Sequence, residues 1–317
     1  MNILLSTDNN YVMPTGVLMH SIGENNGSDV AYHVMTNAEF SDDSKAALTR
    51  VAERYGNTIA FYTITDEMTK ALPFGRADQP THVSIATYYR LFITEILPLD
   101  VHKIIYLDGD MIVRKSLKEL WDTDLTGYAM GVVHDMDEQK HIQENWLPYD
   151  MCTYGYFNAG MLIINLDYWR KYDCYNTFMD FINNYANVIK YHDQDVLNSV
   201  FHDKKLLLSV TYNCQSGFLL KGREDGFFDK EVESDINASK GDAAIIHYCA
   251  PDKPWKIECF HPYCKDWRKY FFMSEWRHKR LRDEEENPSL KRRFRNWLVR
   301  HCWYVPATLY QEIPHKA

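Results

Sequence analysis

The 317-residue chain is 45% hydrophobic, enough for one large α/β domain or two smaller ones, and it lacks any run of the ~18 apolar residues that span a membrane. Its net charge of −9 is uneven: residues 265–317 carry 13 Lys/Arg against 7 Asp/Glu, and the preceding 264 residues carry 22 against 37. An acidic body argues against nucleic-acid binding, and a basic tail points to an anionic surface. Seven cysteines, none in a C-x-x-C pair, read as the reduced thiols of a cytoplasmic protein. Met1-Asn2 runs straight into a strand-like segment, without the basic stretch and cleavage site of a secretory signal. Cys259 and Cys264 bracket His261, but two thiols and one histidine fall short of a zinc site.

Ile3-Leu4-Leu5 reads as a buried first strand with a polar end at Ser6–Asn10, and Pro14 suits the first turn of a helix to about Ile22. Ala31–Met35 reads as a second strand. Ser41 is a candidate N-cap for a helix whose Ala47, Leu48, Val51, Ala52 and Tyr55 share a face, with Gly56 ending it. Thr58–Ile64 alternates as a third strand. This β-α-β-α-β opening predicts a parallel sheet with helices on its faces. A helix is predicted from Ser84 to Leu97, stopped by Pro98. Strands are predicted at Tyr128–Val133, Ala159–Asn165, Leu206–Val210 and Ala243–Tyr248, and helices over 168–190 and 194–203. The polar stretch Ser216–Lys240 reads as a mobile lid.

Between these lies Ile104-Ile105-Tyr106-Leu107-Asp108-Gly109-Asp110, followed by Met111-Ile112-Val113. Two carboxylates one residue apart at a strand end point the same way. Such a pair is costly unless a cation neutralises it, and hard divalent cations take carboxylate oxygens while leaving positions for phosphate. The natural reading is a metal site for a phosphorylated ligand; the other is a solvated turn after a strand, since a lone Asp-x-Asp is a weak motif. Asp8, Asn10, Asp135 and His247 also fall at or near strand ends, where open α/β sheets bind ligands.

Six blocks then occur in order: Ser6–Tyr11, Thr87–Leu91, Tyr106–Asp110, Tyr156–Gly160, His192–Asn198 and His247–Trp255. Together they resemble the family-8 glycosyltransferases, nearest to bacterial enzymes that add α-linked galactose or glucose to lipopolysaccharide. The resemblance covers about residues 1–255. It implies an α/β GT-A nucleotide-sugar-binding fold with a Rossmann-like mixed central sheet. It also implies a UDP-galactose or UDP-glucose donor, a glycan acceptor, Mn²⁺ or Mg²⁺, and retention at the anomeric carbon.

On that resemblance Asp108, Asp110 and His247 hold the metal, and Lys253 stabilises the leaving diphosphate. Thr7, Asp8 and Asn10 belong to the end of the first strand, where the family binds uracil and ribose. Arg90 reaches donor hydroxyls or phosphate, and Asn158 bonds the donor or acceptor sugar. Asp135 is expected on the acceptor side from its position at a strand end alone. Asp193 contacts donor hydroxyls and Gln194 lies near the anomeric carbon. A glutamine amide is a poor nucleophile, which favours attack on the face that UDP leaves; double displacement through Asp193 or Asp195 is the alternative. Ala250 stands where the family usually has Gly, so a methyl group enters the loop near the pyrophosphate. His82-Val83-Ser84 fits the segment before the arginine helix.

Two other readings compete. A haloacid-dehalogenase-type phosphatase also begins with Asp-x-Asp after an apolar strand, but its motif belongs near the first strand and leaves the other blocks unexplained. A catalytically idle sugar-binding module would not need the metal ligands and Lys253. Beyond a catalytic domain of residues 1–255, residues 256–317 form a basic, aromatic, helical extension. Leu290, Phe294, Trp297, Leu298 and His301 recur at helical spacing among Lys291, Arg292, Arg293, Arg295 and Arg300, with Trp303 and Tyr304 beyond. Such a helix either lies on an anionic membrane surface or packs on the catalytic domain with its charges in solvent; on the first reading the chain is expected on the cytoplasmic face of an inner membrane, working on a lipid-linked acceptor.

Overall fold

The computed structural model describes residues 1–74, 84–221, 223, 228–285, 288–303 and 310. His82, Val83 and Tyr304, and residues 222 and 224–227 of the predicted lid, lie outside the described residues. The chain opens with β1 (Asn2–Ser6), α1 (Val12–Asn26), β2 (Ala31–Asn37), α2 (Asp42–Arg54) and β3 (Thr58–Ile64). Pro14 sits in the first turn of α1. The Ser41 hydroxyl caps α2 by accepting from the Ser44 amide. Gly56 leaves the helix with φ of +70°, a conformation that favours glycine.

Seven further strands follow: β4 (Lys103–Leu107), β5 (Met111–Val113), β6 (Met130–His134), β7 (Phe157–Asn165), β8 (Lys205–Leu207), β9 (Cys214–Gln215) and β10 (Ile245–His247). The main sheet runs β3-β2-β1-β4-β7-β6-β8, and a small sheet runs β5-β10-β9. In the main sheet only β7 is antiparallel to its neighbours. The carboxyl ends of β1, β4 and β6 therefore meet the amino end of β7 at one rim. That rim carries Asp8, Asp108, Asp135 and Asn158.

Two cores flank the sheet. Leu4, Ile104, Tyr106, Leu162 and Ile164 face one, and Ile3, Leu5, Ile105, Leu107, Met161 and Ile163 face the other. The alternation is the two-residue period of a strand, and burial on both faces makes the strands read as continuous apolar runs. Each such side chain is worth about 1.5–3 kcal/mol of burial. A third cluster joins Met13, Val17, Ile112 and Ile246 to Trp255, Tyr263, Trp267, Phe271 and Val299, so the segment after residue 255 packs directly on the sheet domain.

Several expectations need correction. The predicted helix Ser84–Leu97 is mostly a 3₁₀-helix, Ile85–Phe92, capped by Ser84 and continued by one α-turn at Ile93–Ile96. A 3₁₀-helix aligns every third residue, which puts Ser84, Thr87 and Arg90 in one row. The helix predicted over 168–190 is two, Leu166–Lys171 and Cys174–Tyr185, because Asp173 takes a left-handed φ of +48°. The strand predicted to reach Val210 stops at Leu207 and becomes a turn at Val210–Tyr212.

The lid reading fails for the described part of Ser216–Lys240. Ser216–Leu219 forms a 3₁₀ turn and Lys230–Asp242 a helix capped by Asp229. Phe218, Leu219, Phe228 and Ile236 are buried, and Arg223 pairs with Glu233 across the segment. A few well-spaced apolar anchors are enough to pack a polar stretch.

Candidate active site

The two aspartates after β4 sit on a floor of cations. Asp108 Oδ1 accepts from Arg90 Nη2 at 2.7 Å and from the Tyr106 hydroxyl at 2.7 Å. Asp110 Oδ2 accepts from Lys253 Nζ at 2.6 Å, and the same ammonium donates to the Tyr248 carbonyl at 2.5 Å. His247 enters because β10 pairs antiparallel with β5, with His247 opposite Met111. Its Nε2 lies 3.3 Å from Asp110 Oδ1 and 4.0 Å from Asp108 Oδ2. One ligand atom from each of Asp108, Asp110 and His247 falls within 4.8 Å of the others.

Burial alone would raise the Asp110 carboxyl, but Lys253 and His247 outweigh it and hold the group well below the usual carboxylate range. The donor set of two carboxylates and one imidazole suits a divalent cation with positions left for other oxygens. Gly160 makes room for the ring: a Cβ there would lie 2.4 Å from His247 Cε1 and 2.9 Å from Nδ1.

Arg90 is 3% exposed and fully committed. Its Nε donates to the Thr87 carbonyl and lies 3.0 Å from Asp193 Oδ2, Nη1 donates to the Ala159 carbonyl, and Nη2 holds Asp108. The guanidinium also lies 4.0 Å over the Tyr106 ring. Arg90 thus supports two carboxylates at once. Thr87, one 3₁₀ turn before Arg90, donates its hydroxyl to Asp193 Oδ1. Burial pushes the Asp193 carboxyl up to about 6, against the pull of Arg90 and Thr87.

Gln194 and Asn158 meet at Asp135. Gln194 Oε1 accepts from the Ala159 amide at 2.9 Å and from Asn158 Nδ2 at 3.3 Å, while Gln194 Nε2 donates to Asp135 Oδ2 at 3.2 Å. Asp135 Oδ2 also accepts from Asn158 Nδ2 at 3.0 Å, and Asp135 Oδ1 accepts from the Asp137 amide at 2.9 Å. Burial would raise Asp135, but the contacts with His141 and Asn158 bring it below its ordinary value. Asp137 and His141 complete a second group whose ligand atoms lie within 4.8 Å of each other, although Asp135 has already spent its oxygens on these donors.

Asp195, the alternative nucleophile, is fully buried. Its oxygens accept from the Tyr156 hydroxyl, Trp146 Nε1 and the amides of Lys190 and Tyr191. It closes the turn before the helix His192–Phe201.

At the end of β1, Asp8 Oδ1 accepts from the amides of Asn10 and Tyr11, and Oδ2 accepts from the Ser84 hydroxyl at 3.2 Å. Thr7 is buried, its hydroxyl accepting from Thr15, and Asn10 is exposed. Ala250 has no positive φ, so alanine there carries no backbone strain and only its methyl distinguishes it from glycine. The sequence reading missed Thr87, His141, Asn213 and Gly160 as individual positions. Thr87 and Gly160 lie inside quoted blocks. Asn213 has no local signal; it precedes the two-residue strand β9 and reaches His247 Nδ1 at 3.0 Å.

The family model described as glycosyl transferase family 8 matches residues 2–259. General stress protein A of Bacillus subtilis is 27% identical over 87% of this chain and 94% of its own length. The lipopolysaccharide 1,2-glucosyltransferase of Escherichia coli is 28% identical over 87% of this chain and 79% of its own. Among solved structures, the galactosyltransferase LgtC in complex with donor and acceptor sugar analogues is similar with a TM-score of 0.77 and 28% identity, covering 88% of this chain and 100% of that one. The mixed sheet described above is the GT-A fold.

The close fit of Gly160 to His247 generates a test. Gly160→Ala should push the imidazole off the carboxylates and weaken divalent-cation binding, with Mn²⁺ as the probe, by about tenfold or more, on the scale of a lost orienting contact. Electron paramagnetic resonance titration of free Mn²⁺ reads this directly. Unchanged affinity in the folded variant would mean that the ring has slack.

Proposed function

The chain belongs to glycosyl transferase family 8, and on that premise we propose that it moves galactose or glucose from a UDP-sugar to a lipopolysaccharide-type glycan with retention at the anomeric carbon. The single observation that carries the reading is the convergence of Asp108, Asp110 and His247 beside Lys253 at the rim of the sheet. These three side chains would hold Mn²⁺ or Mg²⁺. Bound there, the cation would neutralise the donor's diphosphate and the charge that grows on UDP as it leaves.

The chain's own residues do the rest. Lys253, a flexible point cation now resting on Asp110, turns to the diphosphate and stabilises leaving-group charge. Arg90 pairs with Asp108 and Asp193 and fixes both carboxylates. Asp193 accepts from sugar hydroxyls, Asn158 and Asp135 orient the sugars, and Thr7, Asp8 and Asn10, just beyond the end of β1, frame the nucleoside. Gln194 Oε1 is weakly basic and already accepts from the Ala159 amide, and Asp195 is enclosed. Both facts favour UDP departure and acceptor attack on one face over a double displacement.

UDP release with each donor tests the reading. The purified enzyme should release UDP from UDP-galactose or UDP-glucose with Mn²⁺ and an acceptor, and chelation or Asp110→Asn should abolish it. Full activity after stripping divalent ions would overturn the proposed metal role, and phosphate release from sugar phosphates without acceptor would favour the phosphatase.

The elevated Asp193 carboxyl sets a pH dependence. A group raised to about 6 is charged above that pH and neutral below it, so kcat/KM should fall on the acid side near pH 6. The Thr87 hydroxyl lowers the Asp193 value, so Thr87→Val should move the acid limb upward. A limb that stays in place would remove Asp193 from the reaction.

The basic extension supports a peripheral membrane location. No helix of the described residues is long and apolar enough to cross a membrane. In the helix Leu290–Arg300, Asn296 and Val299 face the protein. Leu290 is 82% exposed, Phe294 64%, Trp297 45% and nearby Trp303 73%. Leu298 and His301, expected on the same stripe, are half-buried, and His301 stacks on Phe272. A large exposed apolar row beside exposed Lys291 and Arg293 suits an anionic lipid surface of a cytoplasmic membrane face. Removing the tail would also strip Val299 from a core, so surface changes are the cleaner probe. Phe294→Ser with Trp297→Ser should abolish sedimentation with phosphatidylglycerol vesicles while sparing UDP-sugar hydrolysis, and salt should weaken binding of the native enzyme. Vesicle binding equal to that of the native enzyme would refute the surface assignment.

A further inference from the structure

The cation-facing histidine and the amides around the reaction centre form one hydrogen-bonded chain. His247 Nδ1 meets Asn213 Oδ1 at 3.0 Å, and Asn213 Nδ2 donates to Asn158 Oδ1 at 2.9 Å. Asn158 Nδ2 donates to Asp135 Oδ2 at 3.0 Å, and Gln194 Nε2 donates to the same oxygen at 3.2 Å. Asn213, Asn158, Asp135 and His247 are all at least nine-tenths buried.

A carboxamide can be turned end for end, so its polarity is set by what it meets. Here three groups have no choice. An ionised carboxylate only accepts, so Asp135 takes the NH₂ ends of Asn158 and Gln194. The backbone amide of Gly160 only donates, and it meets Asn158 Oδ1 at 3.0 Å. The backbone amide of Ala159 only donates, and it meets Gln194 Oε1 at 2.9 Å. Asn158 is therefore fixed at both ends. Its oxygen requires the NH₂ of Asn213, which turns the Asn213 oxygen toward His247. An oxygen facing Nδ1 requires a proton on Nδ1, which leaves the Nε2 lone pair facing Asp108 and Asp110.

We infer that Asn213 is a positioning residue that transmits the polarity of Asp135 and Asn158 to His247 and so fixes the imidazole in the cation-binding tautomer. The inference rests on the proposed cation site. A metal-bound imidazole is normally oriented by a partner on its other nitrogen, and loss of that partner costs about 10–100-fold in affinity. What this chain adds is that the partner is itself oriented by the residues that hold Gln194. The cation site and the sugar side are thus set by the same hydrogen bonds.

Two substitutions at one position separate the halves. Asn213→Leu removes both bonds. Asn213→Asp keeps an acceptor for Nδ1–H but cannot donate to Asn158. Titration of the full-length protein with Mn²⁺ alone, followed by electron paramagnetic resonance, should show Asn213→Leu binding at least about tenfold more weakly than native. Asn213→Asp should bind Mn²⁺ within a few-fold of native, yet lose kcat by about tenfold or more because its carboxylate would face and repel the Asn158 oxygen that Asn213 now donates to. Nitrogen-15 spectra of the metal-free native protein should show a proton on His247 Nδ1 that Asn213→Leu loses or redistributes. Native Mn²⁺ affinity in folded Asn213→Leu, or native turnover in Asn213→Asp, would overturn the inference while leaving the cation site standing. No Mn²⁺ binding by the native chain would bring down both.

Discussion

Negative charge gathered at the rim of a buried sheet is the constraint that the rest of this molecule answers. Asp108, Asp110, Asp135 and Asp193 converge where several strand ends meet, three of them largely out of water. Burying a carboxylate without compensation costs several kcal/mol, so each needs a partner of its own. Arg90 serves Asp108 and Asp193, Lys253 serves Asp110, and amides with His141 serve Asp135. These partners differ in permanence. Arg90 is locked by its neighbours on every side, whereas Lys253 reaches Asp110 on a flexible stem. A fixed charge preserves the shape of the site, and a movable one lets it bind.

The topology explains why the charges meet at all. In a purely parallel sheet, the residues that begin a strand lie at the opposite edge from those that end its neighbours. The single reversal at β7 brings Asn158, Ala159 and Gly160 to the rim that carries Asp108 and Asp135. The small sheet adds His247 by pairing β10 against β5, immediately after Asp110. Asp108 and His247 are thus neighbours through two different sheets, and Gly160 is the position where the two surfaces touch.

What could be read from the sequence followed from short-range periodicity. The first five elements were legible because Ile3-Leu4-Leu5 is an apolar run, Ala47, Leu48, Val51 and Ala52 share a helix face, Thr58–Ile64 alternates, and Ser41 and Gly56 mark helix ends. The site residues were legible where they sit in compact blocks, such as Asp108-Gly109-Asp110. The 3₁₀-helix was missed because its apolar pattern over Ile85–Phe92 also fits an α-helix; the difference lies in Thr87 and Arg90 both gripping Asp193, which is a tertiary fact. The supposed lid was misread because Phe218, Phe228 and Ile236 are too widely spaced to form a local pattern. Asn213 was illegible for a similar reason, since its partners lie 34 and 55 residues away.

The extension bears on the site through the loop that carries Lys253. At one end, the Tyr248 amide donates to the Asp110 carbonyl, and the Tyr248 hydroxyl donates to the Tyr263 carbonyl. At the other, buried Arg268 donates to the carbonyls of Lys256 and Ile257 and also to that of Val299 in the basic helix. One guanidinium therefore ties the Lys253 loop and the outward-facing aromatic helix to the same point. A buried charged group spent on three carbonyls is costly to remove, so the join is rigid rather than incidental. If the exposed face of that helix lies on a membrane, the catalytic rim is held at a set height and tilt above it. A lipid-linked acceptor then meets a site whose orientation is already chosen, which turns part of the search for substrate into a property of the fold.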